Sequence, residues 1–342
     1  MPVLMGENHP LPFWGSDRGC CKSEPHGGSL QIALVNNMPD AALEDTEVQF
    51  LELLDAASGD IPVTLQLFSL PKVPRAERGE QHLASFYSST LALGNGHIDG
   101  MIVTGTEPRQ ANLRNEPYWD AMAELFDWAE RNTHSTVLSC LAAHAGVLHS
   151  DEIARHPLKE KKLGVFASRR TSASELTAES PEVLEFPHSR WNEVREEELN
   201  AAGYNVVLAS PEAGVDLFTK QKRKSLFLHF QGHPEYGART LLKEYRRDVK
   251  RFLRGERTNY PNMPRGYLDD RGSAALDAFE KEALASPREE LVLNFPEATA
   301  AAGLRKTWHD GAVSIYRNWL RFICAKKGEF SKPVVESREV QI

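Results

Sequence analysis

Four short apolar runs fall within the first 140 residues: QIALVN (31–36), PVTLQLFSL (62–70), HIDGMIVTG (97–105) and STVLSC (135–140). The first is followed by the turn signal Met38-Pro39-Asp40. A helix is expected beyond it from Asp45, with Val48, Phe50, Leu51 and Leu54 on one face. Between the third and fourth runs, Tyr118, Met122, Leu125, Phe126 and Ala129 recur at helical spacing, and Pro117 suits a first turn. A further helix is expected from Leu141. Apolar strands alternating with helices predict an α/β fold, a parallel sheet covered by helices on both faces.

After Asp151 the pattern changes. Residues 151–200 read as charged and loop-like, although FPHSRWNEV (186–194) stands out. Strands resume at 205–210, 214–220 and 225–230; being short and close together, they are expected as antiparallel additions to the main sheet. A helix is predicted over 238–253, behind QGHPEYG. Residues 255–300, with Pro261 and Pro264, read as irregular. A last amphipathic helix, about 307–324, carries Trp308, Ala312, Ile315, Trp319 and Phe322. The expected organisation is a polar arm (1–29), one α/β domain (30–254) and a C-terminal segment (255–342) packed on that domain.

A net charge of −8 argues against a broad nucleic-acid surface. No run approaches the ~18 apolar residues of a membrane span, and the N-terminus lacks the basic and apolar regions of a secretory signal. Cys20 and Cys21 are adjacent, while Cys140 and Cys324 stand apart, which resembles neither a disulfide framework nor a zinc ribbon. The expected compartment is the reducing cytoplasm.

Cys140 ends the fourth run, and small residues follow it. On its own a free cysteine reads as core packing. Its place argues otherwise, because ligands of open α/β sheets sit beyond the carboxyl ends of the strands. There a helix N-terminus favours a thiolate and offers N–H groups to an oxyanion. A thiolate enzyme also needs a base and a group to orient it. GHPEY supplies His233 and Glu235, two apart in extended chain and therefore on one side. The alternative is a turn with a solvated histidine and glutamate. A zinc reading would use Cys140, His144 and His149, but no further ligand has suitable spacing. GNGHIDG (94–100) precedes a strand instead of following one, so it reads as a turn and not a dinucleotide loop.

The stretches ALVNNMPDAALEDTEVQFLELL, IDGMIVTGTEP, YWDAMAELFDWA, STVLSCLAAHAG, KKLGVF, PHSRWNEV, GHPEY with EYRRD, and WHDGAVSIYRNWL together resemble, in order, the homoserine O-acyltransferases of methionine biosynthesis. The resemblance touches most of residues 31–325. It implies a flavodoxin-like, glutaminase-type core with C-terminal helical additions, and a ping-pong reaction. Cys140 would take an acyl group from acyl-CoA as a thioester and pass it to a hydroxy amino acid. His233 would move protons and Glu235 would orient it. Substrate contacts would fall at Ser189, Arg190, Glu244 and Arg247. An amino-acid substrate has a carboxylate for an arginine and an ammonium for a glutamate; Glu244 and Arg247, three apart, also read as a surface ion pair. No metal or bound cofactor is implied, acyl-CoA being a substrate; nor is a nucleic acid or membrane partner. The family often forms homodimers.

Two departures bear on this reading. The family's two lysines after the proline are replaced by Asp40-Ala41-Ala42, in a loop two residues longer. Its Trp and Gly after the cysteine are Leu141 and Ala142, and its glutamine is His144, a candidate for the missing cation. The position that separates acetyl users (acidic there) from succinyl users (glycine there) holds Arg109, which is neither; an arginine can pair with a succinyl carboxylate, so succinyl-CoA is the expected donor, and a solvated loop arginine is the alternative. Homoserine is the expected acceptor and serine the runner-up. An amidotransferase-like hydrolase using the same three residues, or a non-catalytic ligand sensor, are the other readings.

Overall fold

Each of the four apolar runs becomes a buried parallel strand. The computed structural model describes residues 4–5, 28–95 and 97–330. In chain order the elements are β1 (Leu30–Val35), α1 (Asp40–Ser58), β2 (Val63–Ser69), α2 (Glu77–Phe86), β3 (Gly100–Val103), α3 (Trp119–Asn132), β4 (Ser135–Ser139) and α4 (Leu141–Asp151). There follow β5 (His156–Arg170), β6 (Val183–Glu193), α5 (Glu196–Ala201), β7 (Asn205–Ser210), β8 (Gly214–Lys222) and β9 (Ser225–Phe230). Helices α6 (Thr240–Leu253), α7 (Asp270–Ala285), α8 (Glu297–Ala302) and α9 (His309–Phe330) complete the chain. The expected N-terminal arm, with Cys20 and Cys21, lies outside the described residues except at Leu4–Met5, which pairs in parallel with β2, and at its end, residues 28–29.

The sheet runs β2-β1-β3-β4-β9-β8-β7-β5-β6. Its first five strands are parallel, in the flavodoxin-like order. β3 and β4 are buried at every position, and β1 and β9 at all but one. That is why these runs read as continuously apolar: helices cover both faces. Successive side chains of β1 serve opposite faces. Ile32 and Leu34 join Phe50, Tyr245, Ile315 and Trp319 on one side. Ala33 and Val35 join Met122, Leu125, Ala142 and Ala145 on the other. Gly100 lets α9 lie close to the sheet, since a β-carbon there would come within 2.6 Å of Ile323 Cδ1.

Three expectations are corrected. Residues 151–200 are not loop but chiefly the long antiparallel hairpin β5–β6. Its outer half carries Lys159, Glu160, Lys161 and Lys162, the charged dress of an edge. Of the three strands expected as antiparallel additions, β7 and β8 are antiparallel, whereas β9 pairs in parallel with β4 and completes the core. Residues 255–300 contain α7 and α8. Asp269 caps α7 by accepting from the Gly272 N–H at 2.7 Å, and Leu276, Phe279 and Ala283 bury one face. No helix among the described residues is long and apolar enough to cross a membrane.

Candidate active site

β4 and β9 lie side by side with Ser139 opposite Phe230, so the chain leaving their carboxyl ends brings the cysteine and GHPEY segments together. Cys140 is the residue before α4, and its N–H donates to the Phe230 carbonyl at 2.8 Å. Its backbone has φ 50° and ψ −108°, a conformation that costs an L-residue free energy. Such a turn lifts a side chain off the strand end and leaves the first N–H groups of α4 facing the same side. Gly105, at the end of the β3 run, packs against it: a β-carbon there would lie 2.4 Å from Leu141 Cβ.

His233 Nδ1 donates to Glu235 Oε1 at 2.8 Å, and both residues are buried. Glu235 Oε1 also accepts from Ser139 Oγ at 3.4 Å. Burial opposes charge on His233, but the Cys140 sulfur and the Glu235 carboxylate outweigh it, holding the imidazole well above its ordinary value. The structure therefore unites thiol, imidazole and carboxylate, with Nδ1 on Glu235 and Nε2 left for the sulfur. The ring stacks on Tyr236 at 4.1 Å between centroids and 18° between planes. Gly232 is required just before it, since a β-carbon would meet Asp216 Oδ1 at 2.7 Å; the Gly232 N–H donates to that oxygen at 3.2 Å.

Tyr236 leads to a second cluster. Its hydroxyl donates to Glu244 Oε1 at 2.6 Å. Ser189 Oγ donates to Glu244 Oε2, to which Lys161 Nζ lies at 3.3 Å and Arg247 Nη2 at 3.7 Å. Lys161 also reaches Asp248 Oδ2 at 2.8 Å. Burial pushes the Glu244 carboxyl up, but Lys161, Arg247 and the two hydroxyls hold it below its ordinary value. A cavity of about 400 Å³ borders the cluster at Lys161, with Trp191, Arg257 and Tyr260 among its walls.

Ser189, Glu244 and Arg247 are thus brought together. Arg190 is buried and spends its guanidinium on the carbonyls of Asn192 (2.8 Å) and Ala213 and on His188 Nδ1 (3.3 Å). Arg109 is exposed, and its backbone N–H donates to Glu116 Oε1 at 2.5 Å. His144 does not supply the missing cation. It is buried against Gln231 Oε1 at 3.0 Å, and burial pushes it down to about 3. The zinc grouping is not formed either, for His149 turns to Asp127 at 2.9 Å.

Sequence reasoning missed two cations, Arg155 and Lys161. Arg155, like the predicted Arg190, lies within electrostatic reach of the Cys140 sulfur. Arg155 holds the carbonyls of Gln110 and Ala111 at 3.2 and 3.1 Å, and nothing in the local sequence marks it. Lys161 lay inside KKLGVF, but its role needs the β5–β6 hairpin to carry it across to α6.

Fold and site define a class: doubly wound α/β proteins with a cysteine, histidine and glutamate at the carboxyl ends of adjacent parallel strands. The chain matches the model of homoserine O-succinyltransferase over residues 23–330. It is 47% identical over 291 residues to a homoserine O-succinyltransferase of Rhodopseudomonas palustris, covering 85% of this chain and 87% of that one. It is 41% identical to one of Methylorubrum extorquens, covering 90% and 92%. The chain belongs to the homoserine O-succinyltransferase family, and is an acyltransferase. Among solved structures it is similar to glutamine amidotransferases of Thermotoga maritima (TM-score 0.45, 13% identity, 86% of this chain and 98% of that one) and Methylobacillus flagellatus (0.46, 13%, 86% and 94%).

Proposed function

We propose that this protein transfers a succinyl group from succinyl-CoA to the hydroxyl of L-homoserine by a ping-pong route through Cys140, a cytoplasmic step of methionine biosynthesis. The observation that carries the reading is Cys140 on its strained turn beside a His233 already oriented by Glu235. The Cys140 sulfur, its proton passed to His233, attacks the thioester carbonyl. The CoA sulfur leaves with the proton from His233, and a succinyl thioester remains on Cys140. The homoserine hydroxyl then gives its proton to His233 and attacks that thioester, and Cys140 leaves as the ester forms. In each step the oxyanion is met by N–H groups at the start of α4. Arg155 and Arg190 supply the positive field that a neutral His144 does not.

The acceptor would lie against the Ser189, Glu244, Arg247 and Lys161 cluster, the carboxylate on the cations and the ammonium on Glu244. Arg109, exposed at the loop, is left for the donor's free carboxylate. The test is release of CoA thiol by the purified chain given succinyl-CoA or acetyl-CoA, with and without L-homoserine or L-serine. Acceptor-dependent release, greatest with succinyl-CoA and homoserine, is expected, with a succinyl adduct on Cys140 when the acceptor is withheld. Release with no pair would overturn the reading.

A further inference from the structure

At the amino ends of the parallel strands, opposite the Cys140 side, Asp99 directly precedes β3 and His134 directly precedes β4, and backbone bonds fix them side by side: the His134 N–H donates to the Asp99 carbonyl at 2.8 Å. The five residues of β4 separate this end from Cys140, roughly 17 Å of extended chain. Asp99 is fully buried. Its Oδ2 accepts from the Gln31 N–H and from Lys327 Nζ, both at 2.8 Å. That arrangement turns Oδ1 towards two imidazoles, His97 Nε2 at 2.8 Å and His134 Nε2 at 3.9 Å.

We propose that His97, Asp99 and His134 form a site for a divalent transition-metal ion of the zinc type. All three ligand atoms lie within 4.8 Å of one another. Bonds of about 2.0–2.1 Å at tetrahedral angles set neighbouring ligand atoms roughly 3.3 Å apart, and the two distances to Oδ1 bracket that value. The His97 side chain is 65% exposed, so it can turn to equalise them and admit the ion. Two neutral imidazoles and a carboxylate suit zinc, with water completing the sphere. Gln31 and Lys327 orient the carboxylate from behind. The Lys327 ammonium also repels the ion, so affinity falls short of a closed four-ligand site. Bound metal would clip the amino ends of β3 and β4 together.

The full chain, stripped with chelator, is titrated with Zn²⁺ by calorimetry and with Co²⁺ by visible absorption. One saturable equivalent is expected, with cobalt d–d bands, and zinc should raise the melting temperature. His97→Ala, at an exposed position that leaves the fold intact, should weaken binding by roughly a hundredfold and abolish the melting shift. Cys140→Ala should change neither. The site is overturned if wild type shows no saturable binding, if His97→Ala binds as tightly as wild type, or if Cys140→Ala abolishes binding. None of these readings depends on the acyltransfer reaction.

Discussion

The indole N–H of Trp308 donates to the Tyr236 carbonyl over 2.9 Å, tying the start of α9 to the turn that carries His233. Tyr236 in turn stacks on the His233 ring. A C-terminal addition therefore pins one member of the proposed catalytic set, although Trp308 and His233 are 75 positions apart in the sequence. Trp308→Phe keeps an aromatic ring but removes the donor from a buried carbonyl, and should cost about 1–2 kcal/mol in urea unfolding. It should also lower kcat while leaving KM for both substrates nearly unchanged. A stability loss with kcat intact would show that the pin serves folding alone.

Cys140 stores backbone strain at φ 50°. Glycine adopts that conformation freely and alanine does not. Both Cys140→Gly and Cys140→Ala should be inactive, yet the glycine variant should be the more stable of the two by about 1–2 kcal/mol. Chemical denaturation of the pair measures this directly. Equal stabilities would mean that the turn relaxes when the thiol is removed.

What could be read from the sequence was what depends on short range. Four of the five parallel core strands were legible because buried strands between helices leave uninterrupted apolar runs; β9 was seen as a strand but not as a parallel one, and Cys140, His233 and Glu235 stood out because each lies just past such a run. The β5–β6 hairpin was not, since its Lys159, Glu160, Lys161 and Lys162 carry the polarity of an exposed edge. Helix α7 left a signal that could have found it: an aspartate cap, then Leu276, Phe279 and Ala283 at spacings of three and four. Neighbouring prolines and Gly272 masked it. Lys161 was hidden for a different reason, since its partners Glu244 and Asp248 are more than 80 residues away and only the tertiary fold introduces them.

Lys161→Met should uncover that partnership. Glu244 and Asp248 would lose a mostly buried cation, a loss on the order of 2–3 kcal/mol at neutral pH. The pH dependence has a definite sign. Burial raises the Glu244 carboxyl, and Lys161 is foremost among the groups that bring it below its ordinary 4.5. Its stabilising contribution is therefore present above 4.5 and lost as pH falls through the lower folded value. Without Lys161 that folded value rises, so acid unfolding followed by circular dichroism should begin at higher pH. KM for homoserine should rise more than KM for the acyl donor. An unshifted acid midpoint would remove Lys161 from this role.

Glu235→Gln separates orientation from charge at His233. The amide can still accept from Nδ1, so the ring stays near its place, but a negative charge is lost. Burial disfavours the imidazolium, and the raised value of His233 depends on Cys140 and Glu235 together, so the substitution should bring it down. A group raised in the folded state contributes stability that is complete below its unfolded value, near 6.5, and disappears as pH rises through the folded value. The stability gap between wild type and Glu235→Gln should therefore be widest in mild acid and close towards alkaline pH. A His233 less able to hold the proton of Cys140 should slow alkylation of that thiol by iodoacetamide and reduce kcat by roughly a hundredfold. Alkylation rates measured across pH decide the matter: an unchanged profile would mean that Glu235 positions His233 without acting on its charge.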